Sequence, residues 1–96
     1  MLYALICTDK PNNTELRASK RPEHVAYLGS LGAAMKFAGP FLDDAGSPTG
    51  SLVMIEAESR DAAEMIAAND PYKLAGLFVS VEIRAWRWAL KNPETK

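Results

Sequence analysis

Two hydrophobic periods run along the chain, and the change from one to the other marks its elements. Leu2 to Thr8 is a short apolar run closed by Asp9-Lys10-Pro11. Apolar on both faces, it predicts a central strand. Pro11 to Asn13 is a turn, and Thr14 to Lys20 is polar, either a loose helical turn or a mobile flap. Arg21-Pro22-Glu23 has the form of a helix start, because proline suits the first helical position. From there His24, Leu28, Leu31 and Met35 recur at helical spacing, which predicts one helix to about Lys36. Gly29 and Gly32 lower its propensity and mark either a close approach to a sheet or a packed spot.

Phe37 to Leu42 predicts a second strand, and Pro40 within it makes that strand an edge, since proline cannot donate to a ladder. Asp43 to Gly50 is dense in turn formers and reads as a hairpin loop. Ser51 to Glu58 returns as a third strand, with Val53, Ile55 and Ala57 on one face and Leu52, Met54 and Glu56 on the other. Ser59 is an N-cap for a helix from Arg60 to Asn69 that buries Ala62, Ala63 and Ile66, with Met65 a further candidate. Asp70-Pro71 ends it. Tyr72 to Gly76 is a connection, Phe78 to Trp88 a long last strand and Asn92 to Lys96 a frayed tail.

The order β-α-β-β-α-β predicts a ferredoxin-like α+β fold in a single domain over 1–96. Its right-handed crossovers place both helices on one face of a four-stranded antiparallel sheet ordered 4-1-3-2. The other face then carries Phe78, Ser80, Glu82, Arg84, Trp86 and Trp88 from the last strand, with Leu52 and Met54 from the third. Two tryptophans on an open face call for a cover. The expectation is a homodimer packed sheet to sheet; the alternative is a monomer whose tryptophans cover the tail.

Composition narrows the function. Eleven Lys and Arg against twelve Asp and Glu give a net charge of −1, which argues against nucleic acid as the partner. The 48% hydrophobic content is that of a packed domain, not a disordered chain. The single cysteine, Cys7, excludes an internal disulfide, a paired-cysteine redox motif and a multi-cysteine zinc site. No apolar run approaches the roughly 20 residues of a membrane helix, and no signal peptide opens the chain, so a cytoplasmic location is expected. The glycines lack the spacing of a phosphate loop, and one histidine without a cysteine cluster cannot close a zinc site, so no cofactor and no metal are expected.

Topology brings the start of the first helix, the 43–50 hairpin and the end of the second helix to one end of the sheet. That end collects His24, Asp70 and Ser47 with the basic residues Arg17, Lys20 and Arg21. His24 is the only histidine, and a histidine on an apolar stripe is commonly a satisfied core residue. Asp70 at the same end supports the other reading, a carboxylate orienting a general base. Asp70 also serves simply to end a helix, the cations simply to solvate a face, and Ser47 and Thr49 simply to turn the chain. Cys7 reads as a small core residue.

Several pieces, in this order, resemble the YciI-like family, the YCII-related domain. They are Arg21-Pro22-Glu23-His24-Val25-Ala26-Tyr27-Leu28, Ala38-Gly39-Pro40-Phe41, the Asp43 to Gly50 hairpin, Ala68-Asn69-Asp70-Pro71-Tyr72, Ala75-Gly76-Leu77-Phe78 and Val81-Glu82-Ile83-Arg84-Ala85-Trp86. The resemblance implies a dimeric α+β barrel related to muconolactone isomerase. It also implies an active-site pair that falls on His24 and Asp70, and one branch of the family includes a dehydrochlorinase. Two functions follow as expectations. The first is a cofactor-free lyase or isomerase acting on a small anionic or aromatic substrate, with His24 and Asp70 catalytic and Arg17, Arg21, Ser47 and Tyr72 binding substrate. The second is a non-catalytic small-molecule-binding or partner-subunit module. A cofactor-free monooxygenase of related architecture is a third and more distant option.

Overall fold

The computed structural model describes residues 1–94; the end of the expected tail, 95–96, lies outside the described residues. The elements are β1 (Leu2–Asp9), α1 (Thr14–Ser30), β2 (Met35–Leu42), β3 (Pro48–Glu56), α2 (Arg60–Ala68), α3 (Pro71–Leu74) and β4 (Phe78–Trp86). All strand pairs are antiparallel, and the order across the sheet is β2-β3-β1-β4, the ferredoxin-like arrangement. β2 is an edge, as Pro40 requires. Among the described residues no helix is long and apolar enough to cross a membrane.

One sheet face carries the core. Tyr3, Leu5 and Cys7 of β1, Val53 and Ile55 of β3 and Ile83 of β4 are buried there against Leu28 of α1, Ala63 and Ala67 of α2, and Tyr72 of α3. The alternation read for β3 holds. α2 begins at the Ser59 cap, whose hydroxyl accepts from the Ala62 N–H at 3.1 Å. Its buried inward residues are Ala63 and Ala67, with Ala62 and Ile66 packed alongside them, and Met65 points out at 66% exposure.

Five expectations need correction. α1 begins at Thr14, so 14–20 is neither a loose turn nor a flap, and Pro22 sits inside the helix. Its ring leaves the Ala18 carbonyl without a helical donor, a local loss outweighed by burial of Arg17, His24 and Leu28 along one stripe. α1 ends at Ser30 because Gly32 takes φ +60° just beyond the Leu31 cap, so Met35 and Lys36 belong to β2. A Cβ at Gly29 or Gly32 would meet nothing within 4 Å, so neither glycine serves a close approach. β4 stops at Trp86 because its partner β1 runs out at Leu2. The register shift between Thr8 and Asp9 turns Phe78 inward, where it is buried with the core rather than on the open face.

The open face holds Phe37 with its ring edge-on to Trp86 at 6.0 Å and to Trp88 at 5.2 Å. Trp86 remains 38% exposed.

Gly50 is the position where the sheet requires glycine. A Cβ there would collide with the Cys7 carbonyl oxygen of β1. Gly50→Ala should therefore cost about 1–3 kcal/mol in urea unfolding, the usual penalty of overpacking. Gly29→Ala, which meets only open space, should not cost stability and serves as the control.

Candidate functional site

Segments far apart in the chain meet at one end of the helix-bearing face. α1 supplies Arg17 and His24, eight or more residues beyond β1 in sequence but directly over its end. The α2–α3 junction supplies Asp70 and Tyr72, and β1 and β3 supply Asp9 and Ser51.

The His24 Nδ1–H donates to both Asp70 oxygens, at 2.9 and 3.0 Å. Asp70 also caps α3, where its Oδ1 accepts from the Tyr72 backbone N–H at 2.9 Å. The helix-capping role and the histidine-orienting role therefore fall on one carboxylate. The Tyr72 ring stacks on the imidazole with centroids 3.9 Å apart and planes 12° apart, and Phe78 braces Tyr72 edge-on at 6.0 Å. Bonding at Nδ1 fixes the tautomer that leaves Nε2 as the basic nitrogen. Nε2 has no partner among the described residues, yet no buried side-chain polar atom lacks one. It follows that Nε2 opens into the cavity that His24 lines.

That cavity measures about 560 Å³ and lies between α1 and the β2–β3 half of the sheet. Its helix wall carries Arg17, Arg21, His24 and Leu28, its sheet wall Ala38, Pro40, Ser51 and Val53. A largely apolar enclosure with a few polar groups is the usual form of a small-molecule site.

The two cations of the cavity differ. Arg17 is buried, its Nη1 donating to both Asp9 oxygens at 2.9 Å and its Nη2 to Ser51 Oγ at 2.6 Å, with the guanidinium carbon 4.8 Å from the Tyr72 ring centre. Its charge is matched by Asp9. Arg21 is exposed and has no ion pair among the described residues, so it is the cation free to meet an anion. Ser47 is not brought to this cavity. It is exposed in the hairpin, where its N–H donates to Asp43 Oδ1 at 3.0 Å, and it lines a separate surface hollow with Asp43 and Asn12. Lys20 pairs loosely with Glu23 at 3.7 Å.

Cys7 lies beneath the site. Burial above all, with the Asp70 and Asp9 carboxylates adding to it against Arg17, pushes its thiol up to about 12. It stays protonated at neutral pH and is no nucleophile. Burial likewise raises the Tyr27 hydroxyl, which donates to the Ile66 carbonyl at 2.7 Å.

Asp9 and Ser51 were missed in the sequence. The signal was present: Ser51 continues the inward alternation of Val53 and Ile55, and Arg17 precedes His24 by two helical turns. Starting α1 at Pro22 hid it. Arg17→Met leaves Asp9 as a buried unpaired charge and should cost about 3–5 kcal/mol in urea unfolding. Adding Asp9→Leu should recover part of that loss.

A family model of the YCII-related domain matches residues 1–87. The protein YciI of Escherichia coli is 37% identical over 95 residues, covering 91% of this chain and 97% of that protein. An uncharacterized protein of Haemophilus influenzae is 35% identical over the same shares. Among solved structures, the 5-chloro-2-hydroxyhydroquinone dehydrochlorinase of Burkholderia phenoliruptrix, in complex with 2,5-dihydroxybenzoquinone, superposes with a TM-score of 0.83 at 34% identity. The match covers 91% of this chain and 94% of that one. A NIPSNAP family protein of Agrobacterium tumefaciens, with a TM-score of 0.59 at 18% identity over 98% of this chain and 97% of that one, shares the fold alone.

Proposed function

The chain belongs to the YCII-related domain family, and from that premise we propose that it is a lyase or isomerase in which His24 acts as general acid and base under the control of Asp70. The observation that carries this reading is the His24–Asp70 bond, which leaves Nε2 as the basic nitrogen at the wall of a cavity sized for a small ring. Nε2 takes a proton from a substrate hydroxyl or from a carbon beside a carbonyl, and the Asp70 carboxylate stabilises the imidazolium that forms. The proton then returns at another atom in an isomerisation, or leaves with a departing chloride in an elimination. Both suit a substrate that is already acidic, because a positioned acid–base group supplies only about 10²–10⁴-fold. The unpaired Arg21 suits an anionic or phenolic substrate. The dehydrochlorinase at 34% identity supports the elimination arm. A cytoplasmic setting fits the single buried thiol.

The test is turnover of 5-chloro-2-hydroxyhydroquinone, read as chloride release, together with small unsaturated lactones, read as a change in product. His24→Ala should lower kcat/KM about 10²–10⁴-fold, the usual worth of a positioned acid–base group. Asp70→Asn should lower it by a smaller factor. Ligands that stabilise the protein but emerge unchanged would instead establish a binding module.

We propose further that the open face pairs with a second copy. The support is the cluster of Phe37, Trp86 and Trp88, left partly exposed on the side of the sheet that no helix covers. Light scattering at micromolar concentration should give twice the chain mass, and Trp86→Glu should return it to a single chain while far-UV circular dichroism is retained.

A further inference from the structure

Tyr72 carries a polar atom that the reaction above does not use. The residue is 1% exposed, yet its hydroxyl has no hydrogen-bond partner among the described residues. Among the described residues no buried side-chain polar atom is left unpartnered, so the small accessible part of Tyr72 includes Oη, and the cavity is what it reaches. A phenol in a core ordinarily finds a partner within the protein, as Tyr27 does with the Ile66 carbonyl at 2.7 Å. Tyr72 holds its hydroxyl ready for something that enters.

Its placement is fixed from several sides. The ring is stacked on His24, braced by Phe78 and held against the Arg17 guanidinium. Rings stacked 3.9 Å apart keep Nε2 and Oη within a few ångströms of each other whatever their in-plane directions. His24 and Tyr72 both line the cavity, so an acceptor and a donor stand close together beside it. Burial raises the phenol against the pull of Arg17 and Arg21, with Asp70 and Asp9 adding to the rise. The hydroxyl thus keeps its proton at neutral pH and donates.

We propose that Tyr72 is a second catalytic residue, whose hydroxyl donates a hydrogen bond to the substrate oxygen on which negative charge develops as His24 removes the proton. The step balances without a further reactant. The C–H electron pair becomes the C=C bond of an enolate, the carbonyl π pair moves onto oxygen, the proton resides on Nε2, and Oη–H stabilises the oxyanion without ionising. Where the acidic proton is on a hydroxyl, the same donor holds the phenolate oxygen. The substrate class is accordingly a small ring compound that passes through an enolate or phenolate. This inference rests on the His24 reading and extends it.

Tyr72→Phe removes the hydroxyl and keeps the stack. The probe is 2,5-dihydroxybenzoquinone, ionised at neutral pH and so a stable mimic of the oxyanion. By titration calorimetry the variant should bind it about ten- to a hundredfold more weakly than wild type, the worth of one hydrogen bond to a charged acceptor. His24-dependent turnover should fall in kcat more than it rises in KM. Equal affinity in Tyr72→Phe and wild type overturns the proposal. Should the variant fail to fold, wild-type protein carrying fluorotyrosine at its three tyrosines supplies the answer. Assigned by Tyr3→Phe and Tyr27→Phe, the Tyr72 fluorine resonance must move when the ion binds, and a static resonance at saturation overturns the proposal equally. Turnover that survives His24→Ala sinks the general-base reading, whereas Tyr72-dependent binding of the ion upholds the hydroxyl's contact independently of it.

Discussion

The buried contact of Arg17 with Asp9 and Ser51 is the constraint around which the site is built. A guanidinium and a carboxylate cannot be taken out of water separately, so once one is buried the other must accompany it. That requirement joins the last residue of β1, the first turn of α1 and the start of β3 at one point. With α1 pinned there at its N-terminal end and at Leu28 further along, the helix spans the β2–β3 half of the sheet without filling the space beneath it. The cavity is that unfilled space. α2 shows the contrast, since its small buried residues Ala63 and Ala67 let it settle directly on the strands.

A second consequence concerns orientation. Arg17 sits against the Tyr72 ring, Tyr72 stacks on His24, and His24 is bonded to Asp70, whose carboxylate is in turn tied to the Tyr72 backbone. These contacts form a closed loop between α1 and α3. Each ring is held by a neighbour that is itself held, so the imidazole has little rotational freedom. Preorganisation of this kind is what a general base requires, because a proton acceptor that must first be oriented loses part of its advantage. A four-residue helix such as α3 is too short to persist alone, and its cap is therefore as much a product of the site as a support for it.

Legibility in the sequence followed the kind of interaction. The sheet, its order and the edge position of β2 were readable because alternation and Pro40 are local signals that tertiary packing does not overrule. The convergence of His24 and Asp70 was readable because topology alone brings their ends together. The true start of α1 was not. Pro22 is a strong local signal for a first helical position, and it was outweighed by burial of a stripe that begins with a charged residue. A periodicity read on apolar residues passes over Arg17, and with it over Asp9 and Ser51. Ser47 illustrates the opposite error. It shares an end of the sheet with His24, but nearness along the fold is not a shared wall, and the hairpin's own hydrogen bonds direct it elsewhere. The inward turn of Phe78 depended on a one-residue bulge that leaves no mark on the alternation read from sequence.

The chemistry available to the site follows from which charges are already matched. Asp9 is taken up by Arg17 and Asp70 by His24, and Cys7 below them is kept neutral by burial and by those same carboxylates. Among the described residues, the His24 Nε2, the Tyr72 hydroxyl and the Arg21 guanidinium belong to cavity-lining side chains and have no protein partner. They are an acceptor of protons, a donor of hydrogen bonds and a positive charge. Moving a proton on a substrate that becomes negative as it reacts would use all three. The same fold at low identity carries no such set by necessity. What separates this chain from a bare ferredoxin-like scaffold is the pattern of matched and unmatched charges at one end of its sheet.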